Sequence, residues 1–176
     1  MSPTLLLLAG CIGCASVSTA ADSTESSARV IFECADNGRT ARLAAEGGDL
    51  ILSIVGQDLN VVTVKSDADW GNLRLGHVVG QQGGHQSHLR LSDGPDDYLV
   101  FEGENGQLSD VSNRTYAGVV RFTRSATGEA SETLVECSPA SSQNREFTDA
   151  VTSASEASGR LPVRHEDDGS KFDGWF

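Results

Sequence analysis

The sequence predicts an all-β fold: a single antiparallel β-barrel or barrel-like sandwich of about eight or nine strands, with a short C-terminal helix and a disordered tail. Three observations carry this. Short runs of β-branched, aromatic and alternating apolar residues recur from Arg29 to Cys137. Turn residues separate them at roughly 8–12-residue intervals. No stretch before Cys137 repeats its apolar residues with a helical period.

The elements follow in order. Ile31-Phe32 and the Ala41 to Leu43 run flank Asp36-Asn37-Gly38, a strong hairpin signal because Asn-Gly tolerates the positive φ of a tight turn. Gly47-Gly48-Asp49 precedes Leu50 to Val55, where Leu50, Leu52 and Ile54 alternate. Gly56-Gln57-Asp58 leads to the β-branched run Leu59 to Val64. Leu73 to Val79 follows Trp70-Gly71, and Gly80 to Gly84 reads as an open loop. His88 to Leu91, a turn at Asp93-Gly94-Pro95, and Tyr98 to Phe101 come next. After Asn105-Gly106 and a polar excursion, Tyr116, Gly118, Val120 and Phe122 share one strand face. Ala126-Thr127-Gly128 turns into the last strand, Glu132 to Cys137. Short connections favour antiparallel neighbours.

Beyond Cys137 the character changes. Residues 138–143 read as a linker, and Arg145 to Ala157 as one helix with Phe147 and Val151 on one face. Gly159 to Phe176 reads as disordered apart from the aromatic end Phe172-Asp173-Gly174-Trp175-Phe176. Two roles stay open for that end: docking to a partner, or packing back on the domain.

The N-terminus reads as a sorting signal. Leu5 to Val17 is uncharged and almost wholly apolar or small. It is shorter than the about 20 apolar residues of a membrane-spanning helix and suits the apolar region of a signal peptide. Residues 1–20 are therefore expected to be the targeting segment and residues 21–28 a polar tether. Cleavage before Ala21 competes with processing at Leu8-Ala9-Gly10-Cys11, which resembles the lipobox of bacterial lipoproteins. That resemblance implies a lipid on Cys11, making it the first mature residue and the chain's one membrane contact.

Export leaves Cys34 and Cys137 as an even pair in an oxidising compartment, the setting of a disulfide. Strand alternation places Val30, Phe32 and Cys34 on one face, and Val135 and Cys137 on one face. Both thiols can then meet in one core and tie the first strand to the last.

The formal net charge is -12, with only 13 Lys and Arg. Nucleic-acid affinity comes mainly from cations on phosphates, so this balance excludes nucleic acid as an expected partner. A protein or envelope component is expected instead.

For chemistry, His77, His85 and His88 are the candidate metal ligands, for zinc or copper, because imidazole is the commonest ligand for such ions. Asp67, Asp69, Asp93, Asp96, Asp97, Glu102 and Glu104 supply hard oxygens without the spacing of an EF-hand loop. The sequence carries no Gly-x-Ser-x-Gly, phosphate-binding or dinucleotide motif, so no catalytic residue is assigned. Asn113-Arg114-Thr115 matches a glycosylation acceptor, which matters only in a eukaryotic host.

The export signal and general β pattern resemble small periplasmic lysozyme inhibitors, which are exported, disulfide-bearing β-barrels. Those inhibitors carry a Ser-Gly-x-x-Tyr loop. This chain has Asn113-Arg114-Thr115-Tyr116-Ala117-Gly118 instead, so no residue role is carried over. The expected function is a non-enzymatic binding or interaction module of the bacterial envelope, periplasmic or lipid-anchored at the outer membrane. The alternatives are an enzyme inhibitor or a metal-binding envelope protein.

Overall fold

The structure is a computed structural model that describes residues 28–58, 60–79, 83–107, 110, 112, 114–126, 128–137, 147–159 and 164–166. Cys11, the targeting segment and the aromatic end lie outside these residues. So does Ala21 to Ser27 of the expected tether.

Strands β1 (Arg29–Asp36), β2 (Arg39–Glu46), β3 (Asp49–Val55) and β4 (Val61–Lys65) form one antiparallel sheet in chain order. Strands β5 (Leu73–Val79), β6 (His85–Asp93), β7 (Asp96–Glu104), β8 (Thr115–Ser125) and β9 (Gly128–Glu136) form a second meander. The helix α1 (Phe147–Ser158) follows, then β10 (Arg164–Glu166), which joins the second sheet beside β5. Of the two expected all-β forms, the chain adopts the sandwich and not the closed barrel. Among the described residues no ladder joins β4 to β5 or β9 to β1.

Local chemistry explains the hairpins. Asn37 and Gly38 both have positive φ, as do Gly47 and Gly48, the condition of a two-residue turn whose twist matches its strands. Gly94, also at positive φ, opens the Gly94-Pro95 connection between β6 and β7.

The sheets meet at a corner formed by residues 66–72. Trp70 sits there at positive φ, buried, its indole N–H donating to the Gly48 carbonyl at 3.2 Å. The Asn72 amide donates to the carbonyls of Lys65 and Ser92, both at 3.1 Å. One side chain thus links the end of the first sheet to the second.

The main core lies between the sheets. It holds Leu43, Leu50, Leu52, Leu73, Leu75, Leu89, Leu91, Val100 and Val119, closed by Ala150, Val151 and Ala154 of the helix. Gly159 ends that helix at positive φ, its N–H donating to the Glu156 carbonyl, since glycine takes the left-handed cap without strain.

Cys34 and Cys137 are joined, with Cα atoms 5.3 Å apart across a sequence separation of 103. The bond ties β1 to the end of β9, and Arg39 of β2 donates to the Leu134 carbonyl of β9 at 3.2 Å; among the described residues no ladder joins β1 or β2 to β9.

Two expectations are corrected. Val30 does not share the buried face of Phe32 and Cys34. A bulge between Val30 and Phe32 leaves Val30 42% exposed and lets both Ile31 and Phe32 point inward, because the extra residue breaks strict alternation. The tail is also not wholly irregular: Arg164–Glu166 pairs parallel to β5, Glu166 opposite Gly76. Parallel pairing needs a crossover connection, and a three-residue run of Arg, His and Glu carries no strand signal.

Candidate binding groove

The two faces of the second sheet differ. One face supplies Leu73, Leu75, Leu89, Leu91, Tyr98, Val100, Ala117 and Val119 to the main core. Alternation puts Val78, Gln86, His88, Leu99, Phe101, Tyr116, Val120 and Phe122 on the other. Leu99 and His88 are fully buried there, and Val78 and Phe101 are 8% and 6% exposed. Val78, Leu99 and Phe122 form a second apolar cluster, separate from the main core.

Glycines shape this outer face. His88 fills the space a side chain would take at its register partner Gly76. Phe101 of β7 does the same at Gly118 of β8, and Tyr116 of β8 leans back over Gly103 of β7. The Phe101 and Tyr116 rings stand 6.1 Å apart at 46°, within the range of a favourable tilted aromatic pair. The Tyr116 hydroxyl donates to the buried Gln86 Oε1 at 3.3 Å.

Beside that pair a groove of about 480 Å³ runs over β8 and β9, lined by Phe101, Arg114, Tyr116, Val120, Thr133 and Glu136 among others. Its lining mixes Phe101, Tyr116 and Val120 with the polar side chains of Asn105, Thr115, Ser131 and Thr133, one cation, Arg114, and one anion, Glu136. Burial pushes the Tyr116 hydroxyl up to about 12. It is therefore neutral at ordinary pH and serves as a hydrogen-bonding group rather than a base. The volume is that of a ligand site, and its mixed lining suits a ligand that offers both hydrogen bonds and apolar contact.

A buried polar knot stands further along the same face. Asp97 accepts from Ser92 Oγ at 2.6 Å and pairs with Arg124 at 3.1 Å and Arg90 at 3.3 Å. This carboxylate is tied into the sheet by those two guanidinium groups rather than presented to a metal ion. Asp67 and Asp69 both accept from the Gly71 N–H and so hold the corner turn.

The three histidines do not converge. His77 and His85 are exposed neighbours with ring centroids 6.2 Å apart, and His77 Nδ1 lies 3.1 Å from Ser87 Oγ. His88 is buried on the opposite face. The sequence predicts a strand that starts only at His88, after the open loop Gly80 to Gly84. The strand instead begins at His85, and a three-residue step along a strand reverses the face. Among the described residues no three His, Cys, Asp or Glu side chains are placed to hold a metal ion.

Sequence reasoning did not assign the groove. The shared face of Tyr116, Gly118 and Val120 was visible, but the residues it opposes on β7 and β9 depend on register. No family model, curated protein or solved structure matches the chain.

Proposed function

We propose that this protein is an exported, non-enzymatic binding module of the bacterial cell envelope, and that it receives an extended polypeptide segment along β8 and β9. The groove beside Phe101 and Tyr116 is the observation that carries this reading. It lies next to β9, the last strand of its sheet. The first part of β9 is exposed, and among the described residues no strand pairs with its far edge. An open edge beside a side-chain pocket suits strand addition: backbone hydrogen bonds supply affinity and the pocket supplies selectivity. The disulfide and the apolar N-terminal run support export, and the charge of -12 favours a basic partner by steering encounter.

Selection of a displayed random-peptide library on the folded protein tests this, followed by anisotropy titration of the enriched sequences. Thr133→Arg fills the groove from an exposed position without entering the main core. It is expected to weaken binding at least tenfold. No enrichment, or affinity indifferent to Thr133→Arg, rejects the reading. Mass measurement of the mature N-terminus from the native host tests its export half. A lipid increment on Cys11 places the module on a membrane anchor, a start at Ala21 makes it free to diffuse, and an unprocessed Met1 rejects export.

A further inference from the structure

The outer face of the second sheet is buried more deeply than its own side chains explain. The main core, with the first sheet and α1, holds the opposite face. Yet Leu99 and Gln86 are fully buried and Val120 is nearly so. A sheet face with nothing across it is normally solvated.

We propose that the cover is the chain's own C-terminal segment, residues 167–176, and that its aromatic end occupies the groove as an internal ligand. Strand β10 delivers the chain to this place. It lies on the β5 edge and runs parallel to β5, with Glu166 opposite Gly76. The chain therefore leaves Glu166 heading toward the level of Val78 and Gln86, at the rim of the outer face. Ten residues remain, Asp167 to Phe176, reaching at most about 33 Å when extended. The five strand spacings from β10 across the sheet to β9 add to about 24 Å. Trp175 and Phe176, at the far end of those ten residues, can thus reach the groove with length to spare. Asp167, Asp168 and Gly169 begin the crossing, and the aromatic side chains fall in its second half, where Phe101, Tyr116 and Val120 offer apolar contact. Such a plug would compete with any foreign peptide for the same groove. The inference rests on the groove as a place for polypeptide and does not require that a foreign ligand exist.

The test uses the full chain. Its two tryptophans are Trp70, buried at the corner, and Trp175. The difference in emission between wild type and Trp175→Phe isolates Trp175, and acrylamide quenching reads its exposure. A synthetic peptide of residues 167–176 is the solvent-exposed reference. The plug predicts blue-shifted Trp175 emission and a quenching constant at least threefold below the peptide's. It also predicts that Thr133→Arg restores quenching to the peptide's value. Trp175 quenched like the free peptide in the wild type overturns the cover. A shielded Trp175 indifferent to Thr133→Arg overturns the placement in the groove. Both readings are intrinsic to the chain, so they stand apart from the peptide-library result.

Discussion

The imidazole of His88 on β6 occupies the space where a side chain at Gly76 on β5 would sit. The two are register partners, and His88 is fully buried. A glycine thus makes room for the ring of its cross-strand neighbour, and Phe101 over Gly118 and Tyr116 over Gly103 repeat the device. Glycine weakens a strand by its freedom in the unfolded chain. Here covering aromatic and imidazole rings offset that loss.

Gly76→Ala is therefore expected to destabilise the fold by about 2 kcal/mol, the usual scale of overpacking in a tight interior. Urea unfolding followed by circular dichroism measures it. His88→Ala removes the ring that clashes, so the double variant should lose less than the sum of the two single losses. Additive losses would show that His88 and Gly76 are not in contact.

The Cys34–Cys137 bond closes a loop with a sequence separation of 103. In the chain-entropy account, such a closure stabilises by about 4–5 kcal/mol, an upper figure. The paired variant Cys34→Ser, Cys137→Ser should lower unfolding stability by about 4 kcal/mol. Thiol labelling of the folded native protein should find Cys34 and Cys137 unreactive. Two reactive thiols there would exclude the bond.

Tyr116 supplies a pH signature. Its folded pKa lies near 12, against 10.0 for the exposed group, because burial penalises the phenolate. The unfolded chain ionises first, so this contribution to stability is complete below pH 10 and is lost as pH rises from 10 toward 12. The fall in melting temperature over that window should be smaller in Tyr116→Phe than in wild type. With only two tyrosines, the phenolate absorbance of wild type minus Tyr116→Phe reports the group directly. A difference titration centred near pH 10 would contradict the burial.

Much of the fold was legible because its signals are local. Asn37-Gly38 and Gly47-Gly48 mark turns because only particular residues adopt positive φ without strain. Leu50, Leu52 and Ile54 alternate because a strand has two faces, and all three are buried as that pattern demands. Val151 lies on the buried side of the helix expected from its spacing with Phe147. The bulge at Ile31 was not legible, because one inserted residue leaves the composition of the strand unchanged. Nor was β10, whose pairing with β5 joins residues far apart in the chain, Arg164 to Arg74.

The candidate site divides in the same way. By itself the amino-acid sequence determined the class of fold, the turns, the paired cysteines and the acidic surface, since each depends on residues close together in the chain or on composition. Tertiary structure alone decided that β1 and β9 share no ladder among the described residues, that His88 parts from His77 and His85, and that Phe101 and Tyr116 open a groove beside β9. The physical reason is register. Which residue faces which across a sheet is set by the packing of the whole interior, and a shift of one position turns every side chain to the other face.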